Sequence, residues 1–202
     1  MENEEIIRLR QANFRQTNAY AMQHGIMLGL WAVGCQACYV AGLSHPLFSN
    51  LWMLMLIGIP ALTCIFTLRL RRIAGNDRPF PFSRGFVHAF LTLLYTAVWA
   101  AVATFVYMQF FDNGYVFDCY TATLSRPEMV ELMNQSGMSE TIKASTNGHT
   151  MIDVVNELRN FGAANFAALI IYFYILSSPF ISILAGLVSM RRNHYLQTPK
   201  QT

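Results

Sequence analysis

The stretch Arg69–Phe86, RLRRIAGNDRPFPFSRGF, places five arginines and two prolines between segments that are almost wholly apolar. Charge concentrated between apolar blocks is the pattern of a loop joining two membrane spans. The rest of the chain can be divided from that loop outward. The 202 residues are 54% hydrophobic and only 12% charged, against about a quarter charged in an ordinary soluble domain. So little charge does not cover a water-exposed surface.

With charged residues as punctuation, four blocks remain that are as long as the ~20 residues a helix needs to cross a hydrocarbon core of about 30 Å. They run over about residues 19–43, 51–68, 86–111 and 161–190. Ser44-His45-Pro46 turns the first into the second, Asp112-Asn113-Gly114 ends the third, and Arg191-Arg192-Asn193 ends the fourth. None alternates with the two-residue period of a barrel strand, and in lipid a span must satisfy its own backbone hydrogen bonds. The expected fold is therefore all-α, a four-helix transmembrane domain over 19–190 with an outer loop at 112–160. Segment 1–18 carries Glu2, Glu4, Glu5, Arg8, Arg10 and Arg15 without an apolar core, which argues against a signal peptide. Ile6, Ile7, Leu9 and Phe14 fall loosely on one helical face, leaving an interfacial helix and an unstructured arm both open.

Basic residues collect on the cytoplasmic side of membrane proteins. The N-terminal segment, the Arg69–Phe86 stretch and the tail 191–202 hold eleven basic and four acidic residues, a net of +7; the outer loop holds three basic and seven acidic, a net of −4. Both termini are thus expected in the cytoplasm and the outer loop beyond the membrane, with a bacterial inner membrane as the location. Arg69, Arg71, Arg72, Arg78, Arg84, Arg191 and Arg192 read as topology residues that also meet lipid headgroups.

The 49-residue outer loop is too long for a bare connection. Ser125-Arg126-Pro127-Glu128 reads as a capped helix start, Ser139 as the cap of a second helix, and Thr150-Met151-Ile152-Asp153 repeats the capping pattern. Span four is expected to begin as an exposed helix near Met151. Pro79 and Pro81 forbid helix until about Ser83, the expected cap of span three.

Within the spans there is no Asp, Glu or Lys, which weighs against pumps and ion-coupled carriers that rely on buried ionisable groups. His24 and His88 lie near the cytoplasmic ends and read as interfacial hydrogen-bonding residues. No metal-ligand spacing, Gly-rich phosphate loop or serine nucleophile turn is present, so no catalytic, metal or cofactor residue is assigned. Gly25 with Gly29, Ala97 with Ala101, and Ser182 with Gly186 are small pairs that let helices approach closely; they read as packing within one bundle ahead of a homo-oligomer contact. Pro60 and Pro179 should kink their helices. Cys35 and Cys38 lie one helical turn apart, and Cys119 sits in the outer loop.

That cysteine arrangement faintly resembles four-helix membrane thiol oxidases, with Cys35 and Cys38 in the place of their first redox pair; Cys119 alone departs from their second pair. A broader resemblance runs through FPFSRGF opening span three, PEMVELMNQSGMSE in the outer loop and ISILAGLVSMRRN closing span four. These segments resemble the bacterial membrane family catalogued as domain of unknown function 4199. The resemblance implies no activity. It does imply a partner, since such proteins are often encoded beside polyprenyl-phosphate sugar transferases. The expected function is a non-enzymatic accessory or scaffold subunit for a membrane protein or a lipid-linked substrate. Thiol–disulfide exchange at Cys35 and Cys38 is one alternative and a small carrier or channel another, the latter short of a polar path because Gln36, Gln109 and Asn165 are few. Membrane lipid is an expected partner, and nucleic acid is not.

Overall fold

The computed structural model describes residues 2–74 and 79–191. The Gly75-Asn76-Asp77 turn, Arg78, Arg192 and Lys200 lie outside the described residues. The helices are α1 (Glu2–Gly42), α2 (Pro46–Ile73), α3 (Phe82–Phe110), α4 (Tyr115–Leu124), α5 (Pro127–Gln135), α6 (Met138–Ser145), α7 (Met151–Arg159) and α8 (Ala163–Ser189). Among the described residues there is no strand, only an isolated antiparallel bridge between Phe80 and Arg191.

Four helices, α1, α2, α3 and α8, are long and apolar enough to cross a bilayer. At 28, 29 and 27 residues, α2, α3 and α8 each span about 40 Å, the thickness of a bilayer with its headgroups. The four form a ring in the order α1, α2, α8, α3, in which α3 packs closely on both α1 and α8 and the α2–α8 seam is the thinnest. Each helix buries one stripe. On α1 it is Ala21, His24, Leu28, Ala32 and Cys35; on α8 it is Tyr174, Ser178, Ser182, Ala185, Gly186 and Ser189. The opposite faces expose Leu30, Leu54, Ile57, Phe173, Leu176 and Phe180. Each such side chain gains roughly 1.5–3 kcal/mol on leaving water, and a lipid environment supplies that gain where the protein does not.

Glycine sets the spacing where α3 meets its neighbours. A methyl group on Gly186 would meet the Phe82 ring at 2.7 Å. Gly25 lies against Tyr95 and the Thr92 carbonyl, and Gly29 against Trp99. Ala97 and Ala101 are buried on α3, and Pro60 and Pro179 sit inside the continuous helices α2 and α8.

Several boundaries differ from the sequence reading. Helix α1 runs back to Glu2 without a break, so the charged N-terminal segment is a helical extension of the first span. Helix α2 continues to Ile73 and takes Arg69, Arg71 and Arg72 into its last turns, where free carbonyls and the negative end of the helix dipole favour cations. Span three is capped by Pro81 and not Ser83, since the extended Pro81 backbone leads directly into the helix. Helix α4 precedes the expected loop helices, and its last turn uses the Ser125 hydroxyl, which donates to Thr121 O at 2.8 Å. Ser125 is therefore not the cap of α5. Ser139 falls inside α6, which starts from Gly137 at φ +70°. Asn160–Gly162 separates α7 from α8, with Gly162 at φ +76°, so span four does not begin at Met151.

Candidate functional site

The N-terminal part of α1, the last turn of α2, the start of α3 and the end of α8 meet at one end of the ring, the arginine end. Arg84 donates from Nε to Thr17 Oγ1 at 3.2 Å and from Nη2 to Gln16 Oε1 at 2.6 Å. Its guanidinium also stands 5.5 Å over the buried Phe80 ring, a cation–π arrangement. Phe80 N–H donates to Arg191 O at 3.1 Å and Arg191 N–H returns the bond at 2.9 Å, tying the chain before α3 to the end of α8. Arg71 Nη1 lies 3.5 Å from Ser189 O.

About one turn further in, the axis of the bundle is polar. His24 of α1 and His88 of α3 are buried, with His24 Nδ1 3.0 Å from His88 Nε2. The other His88 nitrogen, Nδ1, lies 3.1 Å from Thr67 Oγ1 of α2. Thr67 donates its hydroxyl hydrogen to Thr63 O at 2.8 Å, and Thr63 donates to Ile59 O at 2.8 Å. A hydroxyl has one hydrogen. With that hydrogen on Thr63 O, the Thr67 oxygen receives the His88 Nδ1–H, His88 Nε2 accepts, and His24 donates from Nδ1. This assignment follows from the hydrogen-bond network. Phe66 stacks on His24 at 4.7 Å with a 1° interplanar angle. Thr92 and Thr96 continue the polar stripe on α3 and donate to His88 O and Thr92 O at 2.8 Å each, the local bonding that lets hydroxyls sit inside a helix bundle. Toward the opposite end the axis becomes apolar through Leu28, Ala32, Ile59, Leu93, Ala97, Ala100 and Tyr174.

That opposite end carries the α1–α2 turn and helices α4 to α7. Buried Asp112 accepts from Gly114 N and Val116 N at 3.1 Å each, fixing the tight turn out of α3. Helix α7 lies against α4, with Arg159 ion-paired to Asp118. The Thr150 capping box is complete: Asp153 N–H donates to Thr150 Oγ1 at 3.3 Å, and Thr150 N–H donates to the Asp153 carboxylate at 2.8 Å. The hydrogen bonds from Thr150 hold the Asp153 carboxyl below the usual carboxylate range. Helices α5 and α6 pack on each other and bury no residue. Beside them, His45 and Arg126 line a shallow cleft of about 380 Å³.

A model of the family described as "Protein of unknown function (DUF4199)" matches residues 21–191. The chain belongs to this family. Comparison with curated proteins and with solved structures finds no match. In this DUF4199 protein the matched segment runs from Ala21, midway along α1, through the end of α8, and so takes in α2, α3, α8 and the helices α4 to α7 between them.

Cys35 and Cys38 stay one turn apart on α1, while Cys119 and Cys64 lie on other helices. Cys35 is buried, its Sγ 3.9 Å from Trp52 O; Cys38 is half-buried on the same helix and Cys119 lies on α4; these thiols and that of Cys64 are free. Gln36 donates to Ala100 O and Thr104 Oγ1 at 3.0 Å each, crosslinking α1 to α3. Ser182, beside Gly186 in the α8 stripe, is buried with its hydroxyl unpartnered. The principal correction concerns His24 and His88, expected at the interface and found inside the bundle joined to one another. Only their polar neighbours at four-residue spacing, Thr63 and Thr67 on α2 and Thr92 and Thr96 on α3, signalled a polar interior face.

Proposed function

We propose that this protein is a non-enzymatic accessory subunit of the bacterial inner membrane, with the arginine end in the cytoplasm and α4 to α7 outside. In this reading the α5–α6 hairpin holds another membrane protein in place. The excess of basic residues at the arginine end supports the orientation. The observation that carries the partner reading is the hairpin itself. Val130, Leu132 and Met138 are 43%, 58% and 51% exposed, on helices of only nine and eight residues. Isolated helices shorter than about 12–15 residues are marginal in water, and a partner surface over these side chains would stabilise both. The family resemblance suggests a polyprenyl-phosphate sugar transferase as the partner class, with its lipid-linked substrate as the other occupant of the same face.

The test is affinity purification from native membranes in a mild detergent, followed by mass spectrometry. A membrane enzyme recovered in stoichiometric amount, and lost with Leu132→Glu while the thermal melt of the variant stays unchanged, is the expected result. Recovery of this protein alone would refute the reading.

A further inference from the structure

Among the described residues the ion pairs are His149–Glu157 and Arg159–Asp118, both at the end opposite the arginines. Arg69, Arg71, Arg72 and Arg84 therefore have no carboxylate partner among the described residues. Three of these differ from Arg71 in a simple way. Arg69 and Arg72 are exposed, and the Arg84 guanidinium is occupied by Thr17, Gln16 and the Phe80 ring. Arg71 is half-buried at the inner end of the α2–α8 seam, where its Nη1 has one contact at the outer limit of hydrogen bonding. Its Nε is buried and has no partner at all.

A guanidinium presents five N–H donors in a planar fork, and a phosphate group is matched by two of them side by side. A buried charged donor without an acceptor is costly. The α2–α8 seam is the thinnest in the ring, and on either helix the outward residues are open and apolar: Ile57 and Ile65 on α2, Leu184 and Leu187 on α8. Ile57 lies on nearly the same side of α2 as Arg71, roughly 21 Å along the helix, within the reach of an acyl chain whose headgroup sits at the arginine.

We infer that the mouth of the α2–α8 seam is a binding site for the phosphate of an anionic phospholipid, with Arg71 as its specific contact and Arg69 and Arg72 supplying the attracting field. This site rests on the membrane-spanning reading alone, so loss of the α5–α6 contact leaves it intact.

Native mass spectrometry of the purified protein, titrated with phosphatidylglycerol, phosphatidylcholine and separately inorganic phosphate, tests it. One phosphatidylglycerol retained per chain is expected. Arg71→Gln weakens it by roughly tenfold or more, the loss of a charged hydrogen bond. Arg72→Gln weakens it by no more than about fivefold, an effect that disappears at high salt. Equal retention by Arg71→Gln and the wild type overturns the proposal, as does an equal loss in the Arg71 and Arg72 variants. Displacement of the lipid by millimolar inorganic phosphate assigns the contact to a soluble anion and overturns the lipid source. Should Arg71→Gln lose its fold, Arg71→Lys decides: a several-fold loss supports the fork, and undiminished binding refutes it.

Discussion

Replacing His88 by Leu should show how the buried polar axis holds α1, α2 and α3 together. His88 is wholly buried and has two interhelical hydrogen bonds, to His24 at 3.0 Å and to Thr67 at 3.1 Å. Their removal has unequal consequences. Thr67 keeps its own donated bond to Thr63 O, so it loses little. His24 is left with a buried Nδ1–H and no acceptor, which costs about 1–3 kcal/mol, while interhelical hydrogen bonds in membranes contribute only about 0.6 kcal/mol on average and up to about 2. The expected destabilisation is about 2 kcal/mol. His24→Leu alone should cost about 1–2 kcal/mol, because His88 Nε2 then lacks its donor. The double variant removes both unpaired groups and should be more stable than the sum of the singles by about 1–2 kcal/mol. Reversible unfolding of the four proteins in mild detergent, followed by circular dichroism, measures the cycle. Additive single effects within about 0.5 kcal/mol would refute the pairing.

Three further outcomes follow from other parts of the structure. Gly186→Ala should destabilise the bundle by about 1–3 kcal/mol, since its methyl group would press on the Phe82 ring; a melting temperature unchanged in the variant contradicts this close contact. Thr150→Ala should lose about 1 kcal/mol of helix stability, read as faster amide exchange confined to α7. Because the Asp153 carboxyl is held below its unfolded range, the cap's contribution is present above the unfolded value and is lost as pH falls through the folded one; exchange in α7 that is indifferent to that acid range would exclude the cap. Substituting Cys35 and Cys38 together by Ala should leave partner binding and folding in place, whereas loss of partner binding accompanied by a trapped Cys35–Cys38 disulfide in the wild type would favour thiol exchange.

The four spans were legible because bilayer thickness sets helix length, and lipid forbids charge inside it. The Thr150–Asp153 cap was legible because it is complete within four residues. Other features depend on what lies elsewhere in the chain. His24 and His88 are 64 positions apart, and their meeting follows from the ring order of the helices, which no local pattern encodes. Charged residues used as punctuation hid the continuation of α1 to Glu2 and of α2 to Ile73, since a helix persists past the membrane surface where charge is welcome. The misplaced α5 cap has the same kind of origin. Ser125 can serve either neighbour, and α4, unseen in the sequence, uses it first. The small pairs gave the sites of close approach but not the partners, such as Tyr95 for Gly25 and Phe82 for Gly186.

The account depends most on the separation of an arginine end from a loop end by four crossings. Paired reporters, one active only in the cytoplasm and one only outside it, fused after Ala74 and after Gly137, test this directly. The cytoplasmic reporter should be active at Ala74 and silent at Gly137, with the external reporter showing the reverse. Activity of the same reporter at both positions would contradict it.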